Sequence, residues 1–211
     1  MNVYLKSTVL EVGAGVGTIA KHVLQNKSVN DLMLLEPDEI MAKKLVETFD
    51  KKNVSVKSTV ATGISKSESN KFDCIYYINC LEHIEHDGDE IDTVYELLKP
   101  NGYVCIFVPA FQSLYSQFDK DIQHFRRYTK KSLKDRFDSN KFTIKQMYYM
   151  DVIGFFLYFV AQKILKLQPN PLMITVFDSF VVPTTRMFER LFFKQKWVPF
   201  GKSLFLVAQK K

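Results

Sequence analysis

The stretch Val9-Leu10-Glu11-Val12-Gly13-Ala14-Gly15-Val16-Gly17-Thr18 decides the fold. Val9, Leu10 and Val12 read as the end of a buried parallel strand, and Thr18 to Gln25 as a helix. Between them, Gly13, Gly15 and Gly17 place three of the chain's eight glycines within five positions. A strand that runs through a glycine turn into a helix lets bare backbone approach a ligand closely. The free N–H groups there favour negative charge by ~0.3–1 kcal/mol. The expected ligand is nucleotide-like, with an anionic end.

The spacing narrows that choice. A dinucleotide fingerprint, G-x-G-x-x-G, needs a glycine where Thr18 stands, and no G-K-[S/T] follows to make a P-loop. What remains is Glu11-x-Gly13-x-Gly15-x-Gly17. This resembles the first motif of class I S-adenosylmethionine-dependent methyltransferases. The resemblance implies that Gly13, Ala14, Gly15 and Gly17 meet the methionine carboxylate of S-adenosylmethionine, with Glu11 supporting the turn.

Outward from this loop, strands and helices alternate. Asp31 to Glu36 reads as a short buried strand stopped by Pro37, and Asp38 caps a helix through Phe49. Val54 to Val60 makes a third strand and Phe72 to Asn79 a fourth, apolar at nearly every position, as a sheet covered on both faces requires. A helix from about Gly88 to Leu98 ends at the turn Lys99-Pro100-Asn101-Gly102, and Tyr103 to Val108 forms a fifth strand. This rhythm predicts an α/β fold: a Rossmann-like, mostly parallel, seven-stranded doubly wound sheet. Ser203 to Gln209 is expected as its antiparallel C-terminal edge strand, after a strand at Thr143 to Tyr149 and extra helices at Asp151 to Leu167 and Leu172 to Phe193.

At 211 residues the chain is expected to form one domain. Residues 1–109 would hold the cofactor, and residues 110–211 would supply an acceptor-side loop, helices and the edge strand. Hydrophobic content of 46% and charged content of 25% are those of an ordered globular protein. Cys74, Cys80 and Cys105 are odd in number, lack C-x-x-C spacing and lie in or beside apolar runs, so they read as reduced buried thiols in a cytoplasmic protein. No signal peptide is expected, because the glycine loop begins almost at once. The apolar run after Asp151 falls short of the ~20 residues that cross a membrane. Only about six residues precede the first strand, so later helices are expected to cover the cofactor.

Net charge is +6, with its one cluster between Lys120 and Arg136. No zinc finger, aromatic nucleic-acid motif or long basic tail accompanies it, which argues against a nucleic-acid partner. No obligate protein partner is evident either. An anionic small molecule, or peripheral contact with an anionic membrane, fits the charge.

Glu36 ends the second strand nineteen residues beyond Gly17, where an acid in such a sheet meets ribose hydroxyls. The run Tyr76 to Asp87 (YYINCLEHIEHD) resembles the end of the fourth strand in the same methyltransferases. That likeness places Asn79 and Cys80 beside the methionine half of the cofactor. Many members also carry an acid after the third strand for the adenine amino group; here Ala61 and Thr62 stand in that region. His83 and His86 with Asp87 lack a third neighbour at ligand spacing, so no metal is expected.

The stretch Val108 to Leu133 resembles a bacterial subgroup with an H-x-R-R-Y-T motif, here His124, Arg126, Arg127, Tyr128 and Thr129. Asp151 with Gly154, and Pro199 to Ser203 (PFGKS), resemble the same subgroup. Methyl transfer is an in-line displacement in which positioning contributes ~7–11 kcal/mol and a general base ~10²–10⁴-fold. His124 is the candidate base, Tyr128 would position the acceptor, and Arg126 and Arg127 would hold a phosphate or carboxylate. The structural alternative pairs these arginines with Asp119, Asp121 or Asp135. For Phe155 to Phe159, core packing stands beside pocket lining and membrane contact.

The sequence thus supports methyl transfer from S-adenosylmethionine to a small or lipid-like anionic acceptor. Two rivals remain: a non-catalytic module that binds S-adenosylmethionine, kept open by the short N-terminus and Thr62, and an NAD-dependent oxidoreductase.

Overall fold

In the computed structural model, residues 1–49, 52–64, 68–165, 179 and 198–211 are described. The apolar runs form seven strands: β1 (Ser7–Val12), β2 (Val29–Leu35), β3 (Val54–Lys57), β4 (Phe72–Ile78), β5 (Leu98–Pro109), β6 (Phe142–Met150) and β7 (Ser203–Lys210). They make one sheet in the order β3-β2-β1-β4-β5-β7-β6. β1 to β5 pair in parallel, and β7 alone runs antiparallel, against both β5 and β6. The C-terminal strand therefore has the expected direction. It fills the slot between β5 and β6, and β6 takes the outermost place.

The strands read as unbroken apolar runs because both faces of the sheet are covered. On one face, Leu10, Met33, Ile75, Tyr77, Val104, Ile106, Leu204 and Leu206 join one cluster. Their neighbours Val9, Leu32, Leu34, Cys74, Tyr76, Cys105, Phe205 and Val207 join another on the opposite face. Alternation at period two, with both sets apolar, is the signature of a sheet between two layers. Cys74 and Cys105 are buried and unbridged, their sulfurs 4.0 Å apart.

The described helices are α1 (Thr18–Val23), α2 (Glu39–Thr48), α3 (Asp87–Leu97), α4 (Gln117–Asp121), α5 (Lys130–Lys134) and α6 (Val152–Tyr158). Asp38 caps α2 by accepting the Met41 N–H at 2.8 Å, and Thr129 caps α5 by accepting that of Ser132 at 3.1 Å. The turn expected at Lys99 to Gly102 is an excursion inside β5. Leu98 pairs with Phe72 and Tyr103 with Cys74, so the residues between them bulge out opposite Asp73. Asn101 takes a left-handed conformation there, φ 64°.

The connection from residue 110 to 128 is partly helical, with a 3-10 turn at Gln112–Leu114 and then α4. The helix expected from Asp151 is present as α6, continued by a π-helical turn, Phe159–Ile164. Phe155 packs on Phe111 and Phe200, whereas Phe156, Leu157 and Phe159 remain exposed, so core packing accounts for only part of this aromatic run. The second expected helix, 172–193, lies outside the described residues. No helix among the described residues is long and apolar enough to cross a membrane.

Candidate active site

Apart from Glu11, which lies inside β1, the residues expected to bind cofactor follow the ends of parallel strands, the edge at which open α/β sheets bind ligands. Gly13, Gly15 and Gly17 all have left-handed backbone, with φ of 73°, 54° and 79°. A Cβ on Gly13 would lie 2.4 Å from the Cys80 sulfur, and one on Gly17 would lie 2.4 Å from the Phe49 ring. Gly15 faces open space. Two glycines are thus needed for close packing as well as for conformation, and the middle one leaves a bare approach to the loop.

Glu36 and the loop are brought together directly. One Glu36 oxygen accepts the Gly15 N–H at 2.7 Å and the other accepts the Asp38 N–H at 3.0 Å. An ionised carboxylate has about four acceptor sites, so this clamp leaves lone pairs for a ligand. Glu11 acts elsewhere than expected. Its buried carboxyl accepts the Tyr76 hydroxyl at 2.6 Å, tying β1 to β4 rather than bracing the turn, and burial pushes its pKa up to about 7.

Ala61 is fully buried on a 3-10 turn, Ala61–Gly63, beyond the end of β3, and Thr62 and Pro37 are exposed. Cys80 packs on Gly13, and burial raises its thiol pKa far above the ordinary value, so it stays a neutral wall. Asn79, also left-handed at φ 48°, donates its N–H to the Phe107 carbonyl at 2.8 Å.

Asn79 also lines a cleft of about 430 Å³ over the ends of β4, β5 and β6. Glu82, His83, Phe118, Ile122, His124, Arg127, Tyr158 and Lys202 are among its other walls. The volume suits a small molecule, for which pockets of ~300–1,000 Å³ are usual.

One buried carboxylate organises the cleft's polar wall. Asp119 accepts Arg127 Nε at 2.7 Å and Nη2 at 3.0 Å, and the Tyr158 hydroxyl at 3.0 Å. It also accepts the Ser116 N–H at 2.9 Å, and lies 2.9 Å from His124 Nδ1. Burial alone would raise its pKa, but the His124 and Arg127 bonds outweigh burial and hold the carboxyl well below the carboxylate range. An ionised Asp119 on Nδ1 makes that nitrogen the N–H donor and leaves Nε2 with the lone pair.

Nε2 lies 3.7 Å from Glu82 Oε1. Glu82 is fully buried, neither carboxyl oxygen has a hydrogen-bond partner, and desolvation pushes its pKa up to about 8. Arg127 Nη1 is the other orphaned atom in this wall. The His83 ring meets that of His124 edge-on, centroids 4.5 Å apart, and burial followed by repulsion from His124 lowers its pKa.

The remaining H-x-R-R-Y-T residues build rather than bind. Tyr128 was expected to position the acceptor; it is fully buried, and its hydroxyl donates to Asp87 at 2.8 Å. Asp87 also takes Arg126 at 2.7 Å and Arg136 at 3.0 Å, so this carboxylate pins the loop to the start of α3. Arg127 gives Nε and Nη2 to Asp119, and its Nη1 has no hydrogen-bond partner. Asp151 caps α6 by accepting the Gly154 N–H at 2.8 Å, and its carbonyl accepts the Lys202 N–H at 2.9 Å. The two distant motifs therefore meet at the cleft's rim.

Sequence reasoning missed Glu82, Asp119, Ser116, Tyr158 and Lys202 as site residues. Glu82 lies within the run Tyr76 to Asp87, and Asp119 among the possible arginine partners. Only burial and geometry give them their place. The sequence offered no third metal-ligand neighbour near His83; the fold supplies His124 from 41 residues away.

A sheet of this order, with a glycine loop after β1, an acid after β2 and a polar cleft over β4 and β5, defines the class I S-adenosylmethionine-dependent methyltransferases. Residues 5–146 match the Methyltransferase domain family, and the chain belongs to it. An S-adenosylmethionine-dependent methyltransferase from Mesorhizobium loti shares the fold with a TM-score of 0.65 at 12% identity, covering 98% of this chain and 92% of that one. The 1,6-didemethyltoxoflavin N1-methyltransferase of Burkholderia thailandensis, solved with that compound and S-adenosylhomocysteine, gives 0.61 at 16% identity, covering 99% and 73%. At these identities the likeness is one of fold. Phosphoethanolamine N-methyltransferase 2 of Caenorhabditis elegans is 27% identical over 100 residues, which span 47% of this chain and 23% of that enzyme. The cofactor of the class is S-adenosylmethionine, and the glycine cradle fits its backbone-bound end.

Proposed function

We propose that the chain transfers a methyl group from S-adenosylmethionine to a small acceptor carrying an anionic group, and that the acceptor is activated through His124. Asn79 carries this reading, because it ends the strand beside the glycine loop and also lines the 430 Å³ cleft. The cofactor's sulfonium supplies the methyl group. Gly13, Ala14, Gly15 and Gly17 give its carboxylate a bare backbone, Glu36 takes the ribose hydroxyls, Pro37, Ala61 and Thr62 border the adenine, and Asn79 and Cys80 flank the methionyl chain. Residues 1–109 then serve the cofactor and residues 110–211 the acceptor, within one domain.

The anionic group is read from Arg127, a residue lining the cleft whose buried Nη1 has no hydrogen-bond partner. Phosphoethanolamine, the acceptor named by the curated relative, has that character. A lipid-like acceptor is the second reading, favoured by the exposed Phe156, Leu157, Phe159 and Val160 beside Tyr158. The H-x-R-R-Y-T motif has a physical part in both: it builds the acceptor wall.

The test is transfer of labelled methyl from S-adenosylmethionine to small amines and alcohols bearing phosphate or carboxylate. Labelled product is expected, and His124→Ala should lower kcat by about 10²-fold or more while sparing S-adenosylhomocysteine affinity. Unchanged kcat in that variant would return His124 to a structural role.

A further inference from the structure

The acceptor wall contains a second arrangement, which the class does not require. Glu82, His83 and His124 each offer one donor atom, and the three atoms lie within 4.8 Å of one another. All three residues line the cleft. A divalent cation that reaches its ligands at about 2.0–2.2 Å holds neighbouring donors roughly 3–3.5 Å apart. The 3.7 Å between His124 Nε2 and Glu82 Oε1 is already close to that spacing.

Two independent observations turn proximity into a site. Both Glu82 oxygens are buried without a hydrogen-bond partner, although buried polar groups are almost always satisfied. A carboxylate oriented toward two imidazoles and left otherwise bare has the character of a ligand. The second observation is the support behind His124. Its Nδ1 is held by Asp119, and Asp119 is itself fixed by Arg127, Ser116 and Tyr158. A carboxylate behind the far nitrogen is the usual way a ligating imidazole is oriented, with Nε2 presented to the ion.

We propose that Glu82, His83 and His124 bind a divalent transition-metal ion at the acceptor wall. Two nitrogens and one oxygen favour manganese, iron, cobalt or zinc over magnesium or calcium, which prefer all-oxygen sets. Three protein ligands would leave positions for solvent or acceptor, and all three residues line the cleft. The proposal rests on that cleft being the acceptor site and gives His124 its means of activation, as a ligand rather than as a base. An acceptor hydroxyl bound to the ion ionises more readily: the O–H bond breaks, its electron pair stays on oxygen and the proton leaves to solvent.

Chelator-stripped full-length protein titrated with manganese chloride or cobalt chloride, followed by calorimetry and by Mn²⁺ resonance or Co²⁺ absorption spectra, tests this. One ion per chain is expected, with magnesium chloride binding at least tenfold more weakly. Glu82→Gln and the exposed-side His83→Ala should each weaken manganese at least tenfold while S-adenosylhomocysteine affinity stays unchanged, which also shows that the variants are folded. Failure of manganese and cobalt to bind, or affinities that neither substitution changes, would overturn the proposal. Methyl transfer by metal-free protein at the full rate would also overturn it, and would leave the cofactor and acceptor reading standing. Loss of S-adenosylhomocysteine binding in the wild-type chain would strike that reading instead.

Discussion

The two ends of the site are built by different physics. At the proposed cofactor end, between Val9 and Asp38, backbone does the shaping: three left-handed glycines, two parallel strand ends and a carboxylate clamped on main-chain N–H groups. At the proposed acceptor end, from Glu82 to Asp87 and from Ser116 to Tyr158, side chains do it. Asp119 and Asp87 are buried carboxylates that gather arginines, tyrosines and a histidine from separate elements. A backbone site suits a ligand common to a whole class, and a side-chain site can be rebuilt for each acceptor without disturbing the sheet.

The largest expected difference between the ends lies in stability. Asp119→Ala leaves Arg127 buried without its counter-charge and should cost about 3–5 kcal/mol in denaturant unfolding. Glu36→Ala, at the other end, should change stability by only about 1 kcal/mol while weakening cofactor binding. Equal stability losses would break the contrast.

Next come the glycines. Gly13→Ala combines left-handed strain with a Cβ placed 2.4 Å from the Cys80 sulfur, and should cost about 2–4 kcal/mol. Gly15→Ala meets nothing and should cost only about 1–2 kcal/mol, from its φ. Thermal unfolding of the pair separates strain from collision, and a Gly15 variant as damaged as the Gly13 variant would contradict this account of the cradle.

A smaller effect depends on pH. Folding raises the Glu11 pKa from 4.5 to about 7. The folded chain therefore binds more protons than the unfolded one between those values, and this contribution is full below pH 4.5 and lost as pH rises through 7. Glu11→Gln should accordingly be more stable than the wild type at pH 8, by about 1–3 kcal/mol, and no different near pH 4. A gain that persists unchanged at pH 4 would show that ionisation is not the cause.

The contrast also explains what was legible in the sequence. Gly13, Gly15, Gly17 and Glu36 announce themselves, because conformation and strand ends follow from local residue types and spacing. β7 was recognisable as a strand, but its slot beside β6 depends on pairings made across the whole sheet. Tyr128 looked like a binding residue until its hydroxyl met Asp87, which lies 41 residues earlier. Glu82 was in plain view, yet its significance lies in having no hydrogen-bond partner, which no spacing rule expresses. Side-chain networks assembled over such distances have no local signature.

The glycine loop and Glu36 are proposed to form one S-adenosylmethionine site together. Calorimetry of the full-length chain with S-adenosylhomocysteine tests it most directly. One molecule bound per chain is expected, with affinity at least tenfold weaker in Glu36→Ala. A chain that binds neither S-adenosylhomocysteine nor S-adenosylmethionine, or that binds NAD in their place, would contradict it.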